Sequence, residues 1–457
     1  FGLILFLMTL IGCGEAPYTG IKFKGNQIIE AGESTTITAE YILEDEVIPS
    51  EKITFILDND TTGGAEPTEI EKNSITIKTG STKAGFVKLT ATSKSCSNSI
   101  WICTNADSVI CPSDRPNGFA GVGAACDCGG YNPNATEKVV TVTNRKDLKN
   151  YAEKGGYVIY VDGMIDMTDG MLPKEGGGST EKLDEFVASK TNYKNYAEWK
   201  NNFSSCSVAE DKKDSTLASA WKKQIQVNIK SNTTIIGLDK NAGIKGVTLS
   251  ISNVENIAIR NLTLQDCYDP FPNHEKNDGW NAQYDLIGIQ GSSSNIWIDH
   301  CTLEDTMTLG KAANGEKWQT YDGLLDMKAD TKKVTISYCI FRDHDKTMLI
   351  GSSDSDGNSA TRTITIHHNY WNNCGQRQPM ARNVSLHLYN NLYEHSVGKY
   401  SQQSVCDVRA GSLIMTEKNS GIAFSSYVGK QIEKKDSSEK FNILFNIPYA
   451  YAAEEEA

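Results

Sequence analysis

Five runs of the chain align one under another: "NIAIRNLTL" (256–264), "NIWIDHCTL" (295–303), "KVTISYCIF" (333–341), "TITIHHNYW" (363–371) and "SLHLYNNLY" (385–393). Each carries apolar residues at alternate positions, then small or polar ones, then another apolar residue. The first aligned apolar positions are Ile257, Ile296, Val334, Ile364 and Leu386, so the intervals are 39, 38, 30 and 22 residues. A unit this short has too little apolar face to be stable alone and must close its core on its neighbours, as a β-solenoid does. The shortest interval gives the bare rung, and the longer ones are rungs with loops inserted. A fold that grows along one axis also accommodates 457 residues without the single large core that such a length would otherwise exceed.

Equivalent positions should stack. Asn369 falls over Asn391 and Cys301 over Cys339, and asparagines stacked inside a coil can satisfy turn backbone groups along the axis. His300 and His368 share the rung offset of Tyr338 and Asn390 and read as part of a stacked turn. One stretch departs from the β texture: 180–225 has helical composition with Ser or Thr starts, and is expected to form an inserted helical excursion covering one side.

Upstream, between 17 and 95, short alternating runs such as "STTITAEYI", "KITFIL" and "FVKLTATS" are separated by Gly, Asn and Asp clusters. This rhythm predicts a small β-sandwich, which resembles the bacterial immunoglobulin-like spacer domains. A cysteine-rich linker is expected at 96–117, the solenoid domain at 118–450 and a tail at 451–457. The whole chain is therefore expected to be all-β apart from the excursion.

The N-terminal "FGLILFLMTLIGCGEA" holds an apolar run too short to span a bilayer and suited to a signal-peptide core. Its Leu10-Ile11-Gly12-Cys13 resembles the lipobox of bacterial lipoproteins, which makes Cys13 the expected lipidation site of a secreted or cell-surface lipoprotein, the only membrane contact expected. Export permits disulfides, and eleven of the twelve cysteines lie beyond Cys13, an odd number. Cys96, Cys103, Cys111, Cys126 and Cys128 crowd together without metal-site spacing, which points to stapling of the linker. With 57 acidic against 45 basic residues and a net charge of -12, wholesale nucleic-acid binding is disfavoured.

The loops between rungs carry the charge. Asp285 enters one strand, and Asp322 and Asp326 enter the next rung. An extended chain holds positions 322 and 326 about 13 Å apart, and Gly323 is expected to supply the bend that brings them together. With Asp285 one rung below, three carboxylates could converge on a hard cation, for which Ca²⁺ is best suited. Lys328, Lys346, Arg377 and Arg382 are expected to stack on that same face. A row of cations beside a carboxylate-bound ion suits a substrate that is itself a row of carboxylates. No HExxH or GxSxG spacing supports a zinc site or a serine nucleophile.

In order within 278–382, "DGWNAQYD", "NIWIDHCTL", "DGLLDMK", "DHDKTMLIG", "HHNYW" and "RQPMAR" resemble the pectate lyases of polysaccharide lyase family 1. The resemblance runs from about 118 to 450. It implies a right-handed parallel β-helix and Ca²⁺-dependent β-elimination of polygalacturonate. By motif position it implies Asp285, Asp322 and Asp326 as calcium ligands, Arg377 as the base, and Lys346 and Arg382 as contacts to substrate carboxylates; Lys328 is expected to join them as a further substrate contact from its place in the row of cations. Asp299 and His300 match a structural signature. Many family members carry an acidic residue where this chain has Gln283, so one ligand of that pattern is absent.

Elimination needs acidification at C5, a base there, and departure of the O4 group. A free guanidinium is neutral in only about one molecule in 10⁵–10⁶ at pH 7, so activity is expected to climb into alkaline pH. Two other readings stay open: a pectin lyase acting on methyl-esterified polymer without calcium, and a non-catalytic carbohydrate-binding β-helix. A glycoside hydrolase would need paired carboxylates around a water. A monomer is expected.

Overall fold

The structure, a computed structural model, describes residues 19–104, 116, 118–121, 138–419 and 442–448, less 25–27, 30–32, 45, 59–64, 80–84, 95, 175–176, 239–240, 396–399, 401–404 and 410. The chain divides into two compact units, 1–106 and 107–457. Cys13 and the lipobox lie outside the described residues, as do Cys111, Cys126 and Cys128.

In the first unit one five-stranded sheet holds Gly20–Lys24, Ser34–Leu43, Glu46–Val47, Ala65–Ile70 and Ser74–Thr79. A four-stranded sheet holds Ile28–Ile29, Thr54–Asp58, Gly85–Ser93 and Cys96–Thr104. Alternation along the chain decides which side chains turn inward: Ile37 and Ala39 from one sheet and Val87, Leu89 and Ile102 from the other share a single core. The boundary expected at 95 falls too early. Residues 96–104 alternate like the strands before them and pair antiparallel along the whole of Gly85–Ser93, so they belong to the sandwich and not to a linker. Cys96 is a free thiol there, as are Cys206, Cys267, Cys301, Cys339, Cys374 and Cys406 in the second unit.

Among its described residues the second unit forms a parallel β-helix of three sheets, of ten, seven and seven strands. The aligned positions of the repeat are neighbours in one sheet: Ile257 pairs with Ile296, Ile296 with Val334, Val334 with Ile364 and Ile364 with Leu386. All five are buried in one continuous core. At the turn that follows, His300, Tyr338, His368 and Asn390 share a left-handed φ near +50°. Their side chains stack outside the coil, ring on ring at 4.8 Å for His300 on Tyr338 and for Tyr338 on His368. One residue further on, Asn369 Nδ2 donates to Asn391 Oδ1 at 2.9 Å and Asn391 Nδ2 to Asn419 Oδ1 at 2.9 Å. Each asparagine oxygen also takes a backbone N–H from the rung before, so turn groups that no strand could satisfy are paired inside the core.

The helical excursion forms Glu181–Lys190, Tyr196–Phe203 and Ser215–Ile225, started by Thr180, Asn195 and Asp214, whose side chains accept first-turn N–H groups. Its aromatic residues do more than cover a side. Tyr196 and Trp199 pack on Phe271, Phe203 on Trp280 and Trp199 on Trp318, and these partners sit in the loops between rungs. Tyr284 Oη donates to Ala218 O at 2.8 Å. The excursion thus buttresses the loops that carry the charged residues singled out above.

Candidate active site

Those residues lie on or beside one seven-stranded sheet, at its strands Ile287–Gln290, Gly323–Met327, Lys346–Ile350 and Met380–Ala381. Asp285 precedes the first of these by two residues, and Leu286 N donates to Gly323 O on the next rung at 2.9 Å. This places the Asp285 carboxylate against Gly323, whose N–H it accepts at 3.2 Å. Asp326 is buried on the same strand as Gly323, and its Oδ1 accepts Leu349 N at 3.0 Å. A Cβ at position 323 would lie 2.9 Å from Asp285 Oδ1 and nearer still to Asp326 Oδ1. The two carboxylates therefore converge over the one residue that has no side chain.

Gly323 provides this room rather than the expected bend: it is an ordinary strand residue, paired with Lys346 on the next rung. Asp322 consequently stays apart from Asp326. Its Oδ1 lies 3.3 Å from Lys346 Nζ, which donates more closely to Asn281 Oδ1 at 2.6 Å. The peptide oxygen of Asp322 is held by His344 Nε2 at 2.6 Å, and His344 Nδ1 meets Asp305 Oδ2 at 2.7 Å. Burial opposes charge on this imidazole, but Asp305 outweighs it and the pKa is raised.

Lys328 is the cation of the acid pair. Its Nζ lies 3.0 Å from Asp285 Oδ2 and 3.2 Å from Asp326 Oδ2. Burial first and then the neighbouring Asp285 push Asp326 up to about 8, while Lys328 and Arg377 act the other way. Asp285 is likewise raised, by burial against the pull of Lys328 and with repulsion from Asp322 added. Asp285, Asp322 and Asp326 thus feel one another, and the charge of Arg377 favours the ionised form of Asp326. The three do not form one cage: among the described residues no group of three or more His, Cys, Asp or Glu is disposed to hold an ion. Two ammonium groups stand among these carboxylates, Lys328 between Asp285 and Asp326 and Lys346 beside Asp322.

The donor set nevertheless fits a hard divalent cation. It offers only carboxylate oxygens, two of them gathered over Gly323, and burial drives them toward protonation unless positive charge is supplied. Lys328 now supplies that charge from within the chain.

Arg377 follows Gln376, which bridges to Lys346. Its carbonyl accepts Met348 N at 2.7 Å and its φ is +58°, so the side chain leaves the backbone in a direction that a strand residue would not give. Arg382 stands one residue past Ala381, as Lys328 stands one past Met327, and those two positions are linked in register through Ile350. Arg382 is engaged by its own surroundings: Nε donates to Asp354 Oδ1 and Nη1 to Gly351 O, both at 3.0 Å. Gln283 is exposed and its amide turns back to the carbonyl oxygens of Asn281 and Ala282.

Two residues of the site carry no role read from the sequence, although Asn281 stands within "DGWNAQYD". Asn281 holds the Lys346 ammonium. Asp269, wholly buried, accepts Phe271 N at 2.9 Å and Gln283 N at 3.1 Å and so pins the segment leading to Asp285. Burial pushes it up to about 7, against those two hydrogen bonds. Its place in the sequence, "DP" before an aromatic, marks a turn and nothing more.

The family model described as pectate lyase matches residues 202–454, more than half of the chain. The chain belongs to the pectate lyase family. It is 42% identical over 188 residues to pectate lyase E of Dickeya chrysanthemi, covering 39% of this chain and 49% of that one. It is 35% identical over 279 residues to a pectate lyase of Bacillus subtilis, covering 58% and 66%. The chain thus spans about half to two thirds of the length of these curated relatives. The solved pectate lyase of Acidovorax avenae subsp. citrulli superposes with a TM-score of 0.57 at 25% identity, covering 69% of this chain and 77% of that one. The matched region includes all the site residues described above, from Asp269 to Arg382.

Proposed function

We propose that this protein is a pectate lyase that cleaves de-esterified polygalacturonate by calcium-dependent β-elimination, leaving 4,5-unsaturated oligogalacturonides. The observation that supports this reading is the convergence of Asp285 and Asp326 over Gly323, with Lys346 paired to Gly323 on the next rung and Gln376, the neighbour of Arg377, bridged to Lys346 on the rung after that. A uronate ring seated across these groups has its carboxylate toward the ammonium of Lys346. Arg377 in its neutral form then takes the C5 proton, the electron pair left at C5 forms the C4–C5 double bond as the bond to O4 breaks, and the departing O4 oxygen takes a proton from water. Calcium bound by Asp285 and Asp326, with Asp322 in reach, would neutralise the substrate carboxylate and so acidify C5. Lys328 and Arg382 are held in place by their present partners and would contribute field more than direct contact, while Asp299 and His300 serve the stacked turn.

A second reading has one observation in its favour. Lys328 already compensates Asp285 and Asp326, so the site carries its own cation, as elimination on methyl-esterified pectin without metal would require. One experiment separates the readings: ultraviolet absorbance of unsaturated product from polygalacturonate and from methylated pectin, each with calcium or with a chelator. The pectate reading expects product from polygalacturonate that the chelator abolishes. Product from methylated pectin that is indifferent to the chelator rejects it in favour of the second reading. Arg377→Lys is expected to lower kcat by about 10²–10⁴ while polymer binding survives, as loss of a positioned base does. We further propose that the mature protein is anchored at a bacterial surface through Cys13; metabolic labelling with a fatty-acid probe, lost in Cys13→Ser, tests this.

A further inference from the structure

Beside the site lies a pocket with no part in the chemistry above. It has a volume of about 400 Å³ and is lined by Thr308, Leu309, Gly310, Lys311, Lys317 and Tyr400. Such a volume is within the range of pockets that bind small ligands, about 300–1,000 Å³. Lys311 and Lys317 face each other across an antiparallel bridge, closed by Ala312 N donating to Glu316 O at 2.9 Å. Like charges set directly opposite each other in a bridge are destabilising. Only one of them is answered. Lys317 Nζ lies 3.3 Å from Asp345 Oδ2 and 5.2 Å from the centre of the Tyr400 ring. Lys311 is exposed and, among the described residues, has no hydrogen-bond or ion-pair partner.

The pocket is tied to the catalytic rung by a short path. Asp345, which holds Lys317, precedes Lys346 in sequence. Its other oxygen accepts Gln376 Nε2 at 3.2 Å, and Gln376 precedes Arg377. Tyr400 packs against the same corner, since a Cβ on Gly375 would lie 3.3 Å from Tyr400 Cβ. The pocket therefore adjoins the rung that carries Lys346 and Arg377, through Asp345, Gln376 and Gly375.

We propose that the pocket is a distal subsite that takes one uronate residue of the polymer, outside those seated at Arg377, with Lys311 as the contact to its carboxylate and Tyr400 as its apolar wall. The ligand class is an anionic sugar chain, and the proposal rests on the reading that a polyuronate is the substrate. The pair Lys311 and Lys317 then serves to concentrate positive charge where the next substrate carboxylate arrives, and the repulsion between them is relieved on binding.

The test is direct binding of galacturonate oligomers by calorimetry at fixed calcium, on an Arg377→Lys background so that nothing turns over. Lys311→Ala is expected to weaken octamer binding about threefold to fivefold, as loss of one exposed ion pair does, and Lys311→Glu by about tenfold. Trimer binding should stay unchanged in both, and the octamer difference should close in about 0.5 M NaCl, where exposed pairs are screened. Thermal melting should be level or slightly raised in Lys311→Ala, because that side chain holds no other described residue and its repulsion of Lys317 is removed. An octamer that binds both proteins alike, an equal loss for trimer and octamer, or an octamer not bound at all overturns the proposal. Failure of the lyase reading looks different: the wild type then makes no unsaturated product, while the length-dependent binding difference stands.

Discussion

Lys328 Nζ lies 3.0 Å from Asp285 Oδ2, joining two rungs through a pair that the field of Asp326 strengthens. Asp285 and Asp326 would otherwise repel each other in a buried position. Replacing Lys328 by methionine leaves them uncompensated and should cost about 2–3 kcal/mol, less than the ~3–5 of a fully buried pair because Lys328 is partly exposed. Calcium should restore much of that loss by taking the place of the ammonium. In a thermal melt the rise on adding calcium is therefore expected to be larger for Lys328→Met than for the wild type. Equal rises would show that the ammonium and the ion do not compete.

Gly323 is where the acid pair finds its space. Alanine there would place a methyl against both carboxylates and, since their neighbours are strand backbone, neither can retreat without losing Leu349 N or Gly323 N. Gly323→Ala is expected to destabilise by about 1–3 kcal/mol, as overpacking of a filled site does. It should also lower calcium affinity. Urea unfolding and calcium titration report the two effects separately, and a variant that keeps both values would refute the convergence over residue 323.

Asn281 sets the direction of the Lys346 ammonium through its 2.6 Å hydrogen bond. In Asn281→Ala the ammonium is left to Asp322 alone, at 3.3 Å, and swings away from the substrate. A charged hydrogen bond of this kind is worth about 1.5–3 kcal/mol when buried. Here it is part-exposed, so kcat/KM on polygalacturonate should fall about tenfold. Initial rates over a range of substrate concentrations measure it, and an unchanged kcat/KM would remove Asn281 from the site.

The coil itself was legible because its signal is local and repeated: Ile257, Ile296, Val334, Ile364 and Leu386 announce the register by their offsets alone, and Asn369 and Asn391 announce the turn. The site was legible only as a set of residues. Which ammonium meets which carboxylate depends on the register between rungs separated by inserted loops, and nothing in "DGLLDMK" states that Lys328 will reach back to Asp285 rather than outward. Gly323 carried the right importance for another reason, room instead of bend, because a glycine in a strand and a glycine in a turn are spelled alike. The strand at 96–104 was hidden by its cysteines, which outweighed its alternation. Asp269 and Asn281 lay out of reach because their roles exist only once the loop of 269–283 is folded against the helical excursion.

Asp269 also sets a pH dependence whose sign follows from its surroundings. Burial raises it from the usual carboxylate range to about 7. The folded chain therefore holds a proton on Asp269 that the unfolded chain has released, throughout the window from about pH 4 to about 7. The stability associated with that proton is fully present below about pH 4 and is lost as pH rises through 7, by an amount on the order of 3–4 kcal/mol at most. Asp269→Asn removes the titration. It keeps one acceptor for Phe271 N but sets an amide against Gln283 N, so it should be about 1 kcal/mol less stable than the wild type at pH 5. Its stability should then fall less between pH 5 and 8, bringing the two proteins together or reversing their order. Urea unfolding at both pH values decides the matter: parallel losses for the two proteins would mean that Asp269 is not the group whose proton the fold retains.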